Sequence, residues 1–592
     1  MLVGCRSIRS GWFGMERAGP ERGPRPFFIP PRVHGGRVLR LQGPYFCRVM
    51  NRPLRTLSLL ICLTFFPLGK QVLAQQGPEI GVEWVAPGDF VDAAGDLLEM
   101  AEVGFRAVRM PPVFDRGFLE LADSLGLTLY EELPLAGLSV RELLQSSALA
   151  DSILTLILEK GRGFDSAGPI GITRMSDTRS AGACAEIHRL ATRIRQAGRL
   201  AYYTSAFGAA DTCADQVDFV LFDLLGDPDP QDTLNGIIEK QTATGIVRLG
   251  VPVTEPSSGW NVPGSPEAQA RFMEEVLVKV LHSDLERVFV YRWRDAERRG
   301  LEVPDPWGKA YGLYTSNSDP RPALQIVRGI LLGIQDTFAI EPGEIPERQQ
   351  PWFPLLGWMM LSLTALLYAG NPRFRSMIPR YFFAHGFFRN AVREAREVLP
   401  LTSTAILTVT GLSVGLIASY VITSLQDTAL VLHMYRLLGA PMREALTAIM
   451  GAPFVLVVLI GSVTLLSTSL WMGVWMAVTG RRARLLPSQA LMLASWPRWQ
   501  VLVLLPIAMV LESVGSVPGW TVIVLGAAWL MTALWATVRT SWDLAQITHV
   551  PYPVAILVWA VHPMVSGSFV VAVWSLFHWD EVRFAWHLLA VG

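Results

Sequence analysis

From Trp352 onward the sequence carries one long apolar run after another, and no soluble core of this size can bury them all. The runs at 352–370, 401–424, 451–478, 499–514, 519–538 and 551–577 each approach the length needed to cross a bilayer. The fourth is the shortest and contains Glu512. The arginines between the runs are uneven. Arg373, Arg375, Arg380, Arg389, Arg393 and Arg396 fall between the first two runs, and Arg481, Arg482, Arg484 and Arg498 between the third and fourth. The alternate loops hold little beyond Arg436, Arg443 and Arg583. By the positive-inside rule the arginine-rich loops face the cytoplasm, which places residues before Trp352 outside it. About six spans are therefore expected in a membrane domain over 352–592.

The rest of the chain has a different composition. Averaged over 592 residues, 51% hydrophobic and 17% charged is too apolar for a soluble protein and too charged for a wholly membrane-embedded one, so two regimes are mixed. Lys plus Arg equals Asp plus Glu at 51 each, and this balance gives no electrostatic reason to expect nucleic acid. Residues 1–49 are rich in Arg, Gly and Pro without an apolar period, as in a disordered or non-native extension. Met50 then opens a segment with Arg52 and Arg55, an apolar stretch Leu57–Leu68, and Val72, Leu73 and Ala74 before Gln75. Over 50–74 this is the pattern of a secretory signal peptide; an uncleaved anchor helix is the alternative.

Between 78 and 336 short apolar runs, Ala107–Met110, Leu127–Tyr130, Leu200–Tyr203, Phe219–Phe222, Gly250–Val253 and Val288–Tyr291, alternate with stretches of helical period. Alternating β and α over this length predicts an α/β domain, a (β/α)8 TIM barrel or a doubly wound sheet. A Gly-rich phosphate loop after the first strands is missing, which disfavours a nucleotide site. A Pro- and Glu-rich linker, 337–351, leads to the all-α transmembrane domain.

Three separated segments carry a resemblance. In 104–137, Gly104, Arg109, Asp123, Gly126, Glu131 and Glu132 stand where the β-galactosidase/β-glucuronidase group of glycoside hydrolases has a "G-x-N-x-x-R" strand, a helix ending "D-x-x-G" and a strand ending in an acidic residue. The segment 250–260, GVPVTEPSSGW, resembles that group's seventh-strand "T-E" segment, and 287–324 resembles its eighth strand and closing tail. The resemblance implies a glycosidase-like barrel in which Glu255 takes the nucleophile position. The acid/base would follow strand four in an Asn-Glu pair, where this chain has Ser176 and Asp177. Asp is one methylene shorter than Glu and the Asn amide is lost, so the site is expected to be degenerate.

Each residue has a plainer alternative. Glu255 is either a pocket nucleophile or a surface carboxylate after a strand, and Asp177 either an acid/base or a helix N-cap. Arg109 fits a buried salt bridge more readily than a substrate contact, and Glu131 and Glu132 lie behind the site. Trp260, Tyr291 and Trp293 serve either as sugar-stacking surfaces or as core. After signal removal Cys184 and Cys213 remain, in a compartment that permits a disulfide. With no metal-ligand spacing and no Gly-x-Ser-x-Gly elbow, no metal and no cofactor are expected.

Within the apolar runs Glu512 and His562 are the clear ionisable groups, with interfacial water and a packing or kink role as their plainer readings. The stretch 389–399 has the pattern of a basic amphipathic helix on the cytoplasmic surface, and its placement resembles Yip-like integral membrane domains. The expected protein is a membrane-anchored, glycoside-hydrolase-like protein of the cell inner membrane. Its barrel faces the periplasm or exterior, binding or weakly processing envelope or extracellular glycans, with the lipid bilayer as its other partner. The alternative is an active retaining glycosidase or transglycosidase using Glu255.

Overall fold

The computed structural model describes residues 77–589 apart from 114, 226, 228, 241–243, 296–308, 345–351, 484 and 515–518. The expectations for 1–49 and 50–74 lie outside the described residues.

Eight parallel strands, β1 (Glu79–Glu83), β2 (Ala107–Met110), β3 (Thr128–Glu132), β4 (Ala167–Arg174), β5 (Ala201–Ser205), β6 (Phe219–Asp223), β7 (Gly245–Leu249) and β8 (Arg287–Val290), close into a barrel in sequence order. The strands are short apolar runs because both faces are buried. One side fills the barrel interior, where Tyr130, Tyr202, Phe219, Leu221, Val247 and Phe289 pack together, and the other meets the surrounding helices. Interior rings of this size need small neighbours: a Cβ on Gly81 would run into the Phe289 ring. Helix starts are written into the sequence by N-caps at Asp89, Asp115, Ser139 and Ser265, the third in a reciprocal capping box with Glu142.

One strand lies upstream of its expected place. β7 is Gly245–Leu249, fully buried and paired to β6 and β8, whereas the run 250–253 lies beyond it. Pro252 offers no N–H for a ladder, and Val253 makes only an isolated bridge to Ala310. Cys184 and Cys213 are bonded, tying the helix Ala181–Gln196 to the turn Ala214–Gln216.

The C-terminal part is helical. Among the described residues five helices, Trp352–Gly370, Pro400–Leu425, Pro453–Gly480, Pro487–Val514 and Gly519–Thr548, are long and apolar enough to cross a membrane. The pair Tyr552–Ala560 and Pro563–Phe577, bent by 78°, makes up to six. Pro400–Leu425 is the central helix, 72% buried against 17–28% for the first, third and fifth of these helices. Gly415 lets it approach Pro453–Gly480 closely, because a Cβ there would run into the Val457 carbonyl.

Two elements differ from the sequence expectation. The fourth helix starts at Pro487, so Arg498 is not in an open loop; it is buried and its guanidinium donates to the Ala494 carbonyl. The stretch 389–399 is not one helix: His385–Arg393 ends there, and Ala395 takes a positive φ of 54° before Pro400 opens the next helix.

Chain direction alternates, so the helix ends sort into two groups. At one end Asn371 donates to Thr402 (3.0 Å), Gln489 to the Val392 carbonyl (2.7 Å), and His385 Nε2 lies 2.9 Å from Asp543. The arginines of the segment 371–396, and Arg498, are here. At the other end the helices meet the barrel: Lys309 pairs with Asp427 at 2.6 Å, and Ser139 donates to Glu581 at 2.6 Å.

Candidate functional site

In a barrel of this kind the side chains at the C-terminal ends of the strands form the mouth, where ligand chemistry collects. Here those positions are Glu83 on β1, Arg109 on β2, Glu131 and Glu132 on β3, Arg174 on β4, Thr204 and Ser205 on β5, Asp223 on β6 and Arg248 on β7, with Tyr291 following β8. Short apolar strands give no hint of this polar ring, because each strand contributes only its last residue or two.

Arg109 is at its centre. It is 1% exposed, pairs with Glu83, and donates from Nε (2.9 Å) and Nη2 (2.6 Å) to Glu132, with Thr204 at 3.3 Å. Glu83 is shared, its other oxygen lying 3.2 Å from Arg174. Tyr202 donates to Glu132 at 3.3 Å. Arg248 pairs with Asp223 at 3.1 Å and lies over the Tyr291 ring at 5.1 Å. Behind the ring, Arg199 stands 3.4 Å from Glu131.

These contacts set the charge states. Burial pushes the Glu83 carboxyl up, but the Arg109, Arg174, Arg248 and Arg292 guanidiniums outweigh it and hold Glu83 below the usual carboxylate range. Burial dominates at Glu131, whose carboxyl is raised despite Arg199. Burial, reinforced by the Glu132 charge, pushes the Tyr202 phenol far up, so it acts as a donor only. The mouth is thus a ring of ion pairs, with Glu83 ionised at neutral pH.

The remaining expected site residues are distributed differently. Glu255 lies six positions beyond β7 in an exposed loop, its backbone N–H bonded to Gly264, and its carboxylate has no hydrogen-bond partner among the described residues. Trp260, on the same loop, is 40% exposed and has the Arg271 guanidinium 5.8 Å from its ring. Asp177 is fully buried in the loop after β4, but it faces His587 (3.2 Å) and Arg583 (3.8 Å) on the helix Trp579–Leu589. It also accepts from the Arg179 N–H at 3.3 Å. Ser176 bonds to the Leu138 N–H and Thr173, shaping that loop. Tyr291 packs on Tyr311 at 5.3 Å and remains at the mouth. Trp293 is fully buried between Phe105 and Tyr314, which leaves its ring no face for a sugar.

Arg109, Glu132 and Tyr291 therefore share the mouth, while Glu255 with Trp260, Asp177, and Trp293 belong to three other surroundings. Sequence reasoning did not select Glu83, Arg174 or Arg248. Among the described residues no group of three His, Cys, Asp or Glu is placed to hold a metal ion. In the helical part, His562 caps the bend, its Nδ1 accepting from the Met564 N–H (3.2 Å) with its ring 4.7 Å from Trp471. A separate cleft of about 690 Å³, lined in part by Phe164, Arg193 and Arg199, opens where β4 and β5 begin, the barrel end associated with stability.

No family model and no curated protein matches the chain. Among solved structures, the β-galacturonidase of Eisenbergiella tayi bound to galacturonate is similar at 18% identity, TM-score 0.36, covering 44% of this chain and 51% of that one. A β-glucuronidase of an uncultured Clostridium species is similar at 14% identity, TM-score 0.37, covering 43% and 50%. The β-D-glucuronidase of Dictyoglomus thermophilum gives 14%, 0.37, 44% and 51%. The chain spans about half the length of these structures, and its barrel assignment rests on its own strand topology.

Proposed function

We propose that this protein is a membrane-held, extracytoplasmic barrel that binds glycans at its mouth, with little or no hydrolysis. The observation that carries the reading is the ion-pair ring: Glu83, Glu132 and Asp223, the carboxylates at strand ends facing the mouth, are each committed to a guanidinium. A retaining glycosidase needs one carboxylate poised as nucleophile and a second, about 5 Å away, that holds a proton. Carboxylates bonded to arginine are already occupied as acceptors, which suits recognition of polar ligands and not proton transfer. Asp177, the acid/base expected from sequence, is occupied by the helix Trp579–Leu589. Support for a glycan ligand comes from the three sequence segments and from a mouth that combines fixed carboxylates, guanidiniums and Tyr291, groups suited to sugar hydroxyls and ring faces.

Support for anchoring and orientation comes from the helical part. The arginine-rich segments gather at the end away from the barrel, so a cytoplasmic position for them leaves the barrel outside. The Cys184–Cys213 bond fits that compartment. A second reading, a retaining glycosidase using Glu255, is favoured by the exposed state of that carboxylate, which has no partner among the described residues.

The test uses the full chain in detergent, with aryl β-glycosides for release and oligosaccharides for calorimetry. Saturable sugar binding without release is the expected result. Release abolished by Glu255→Gln establishes the enzyme instead, and neither binding nor release across the panel removes both readings.

A further inference from the structure

Two of the apolar helices are interrupted, and the interruptions fall at two buried ionisable groups. Pro487–Ser495 passes through a 3-10 turn, Trp496–Gln500, before Val501–Val514 continues, and the last pair breaks at Val561 and His562, between Tyr552–Ala560 and Pro563–Phe577. Pro497 and Pro563 carry no N–H, so each break leaves backbone carbonyls of the preceding turn without their helical donors. Side chains take these carbonyls up. Thr540 donates to the Leu493 carbonyl at 3.4 Å, Arg498 to the Ala494 carbonyl, and Trp471 Nε1 to the Val558 carbonyl at 2.7 Å.

The acceptors at the breaks are thus occupied, but the donors are not. Arg498 is 8% exposed, and among the described residues no carboxylate pairs with its guanidinium. His562 is 2% exposed, and its Nδ1 accepts from the Met564 N–H. That bond leaves the proton of the neutral ring on Nε2, which is buried without a partner among the described residues. The two groups share one region. Arg498 is close enough to act electrostatically on His562, whose ring stands 4.7 Å from Trp471. The helix Pro563–Phe577 begins at the same bend and turns its positive end toward it. A buried guanidinium without a counter-charge is destabilising unless an anion is supplied. In an apolar bundle, ionisable groups at interrupted helices are where polar ligands are held.

Placement limits the ligand. Trp496, two residues before Arg498, packs on Phe374, Tyr381 and Phe388 of the short helices at the end away from the barrel. The break therefore lies one layer of side chains below that end, within reach of an anionic headgroup or of a dissolved anion.

We propose that the helical part holds a phosphate group between the Arg498 guanidinium and His562 Nε2, carried either by a phospholipid or by soluble phosphate. The planar fork of arginine matches paired phosphate oxygens, and an ionised acceptor bonds a cationic donor roughly twice as strongly as a neutral pair bonds. The site is separate from the barrel mouth and does not depend on the glycan reading.

The experiment follows the thermal transition of the full chain in a phosphate-free polyoxyethylene detergent, with inorganic phosphate, dioleoyl phosphatidate or dioleoylglycerol added. Dioleoylglycerol keeps the lipid and removes the phosphate; sodium chloride at matched ionic strength controls for salt. Inorganic phosphate or phosphatidate should raise the melting temperature saturably, and neither control should. A rise with phosphatidate alone identifies a lipid as the source, and a rise with inorganic phosphate shows that the soluble group suffices. Arg498→Gln should weaken the response at least about tenfold in ligand concentration, with Arg498→Lys in between. His562→Asn keeps an acceptor for the Met564 N–H, removes Nε2 and should also weaken it; it gives the readout should Arg498→Gln fail to fold. Arg396→Gln, at a 76% exposed side chain, should leave the response unchanged. No saturable rise with either phosphate, a response that persists in Arg498→Gln and His562→Asn, or an equal loss in Arg396→Gln overturns the proposal.

Discussion

His587, on the helix that follows the last apolar pair, lies 3.2 Å from Asp177, a fully buried carboxylate in the loop after β4 of the barrel. Arg583, Ser139 with Glu581, and Phe207 with Phe584 extend this contact. The residue that sequence reads as either an acid/base or a helix N-cap is thus a clamp between the barrel and the helix Trp579–Leu589. Asp177→Ala should cost the contact about 1–3 kcal/mol, because it removes the hydrogen-bond partner of His587 and the charge facing Arg583 in a buried site. Hydrogen exchange across 579–589 is the readout; protection unchanged from the parent chain would show that the clamp does not hold the helix.

Glu83→Gln removes a charge shared by Arg109 and Arg174. Breaking a buried pair on one side leaves an uncompensated charge, and the barrel should lose about 3–5 kcal/mol in denaturant unfolding. A loss within a few tenths of a kcal/mol would mean that the ring is not a supporting element.

The same carboxylate gives the barrel an acid limit. Burial raises Glu83, but the four guanidiniums outweigh it, so its folded value is below the usual 4.5. Its contribution is present above the unfolded value and is lost as pH falls below about 4.5 toward the lower folded value. Glu131, raised by burial, runs the other way and in a different window: its share of stability grows as pH falls through the raised folded value toward 4.5, above the range in which Glu83 acts. Melting temperature followed downward from neutral pH should therefore drop more steeply in the parent chain than in Glu83→Gln. Parallel curves would refute the linkage.

Reduction of the Cys184–Cys213 bond reopens a loop 29 residues long. In the chain-entropy picture such a bond is worth about 2–4 kcal/mol, so the barrel should melt measurably lower in reductant. Alkylation of the unreduced, denatured chain should leave both thiols unlabelled; labelling of both would mean that the bond does not form in the native protein.

Gly415 is where the central apolar helix, Pro400–Leu425, touches Val457 of its neighbour. Gly415→Leu should cost about 1–3 kcal/mol by forcing the helices apart, whereas the same change at Gly473, with open space around it, should be nearly neutral. Thermal denaturation of the detergent-solubilised variants distinguishes them.

The barrel was legible because buried parallel strands read as short apolar runs, and Ala107–Met110 was found with its true bounds. β7 was misplaced because GIVRL and GVPV are both short apolar stretches; only pairing with β6 and β8 separates them. Arg109 and Glu132 were found through a motif that marks their strand ends. Arg174 and Arg248 were not, since a lone arginine after an apolar run looks like any solvent-facing charge until the barrel closes around it.

The two regimes of this protein, the run lengths that suit a bilayer, the uneven arginines and the alternation that closes into a barrel are all legible along the chain. These are local quantities, fixed by the hydropathy and period of consecutive residues. Which charges meet depends on the folded arrangement. Glu83 and Arg174 are 91 positions apart, and Asp177 and His587 are 410 apart, and no local pattern encodes such pairings. Closure of the barrel and docking of the last helix bring them together, because buried charges are stable only where the fold supplies a partner.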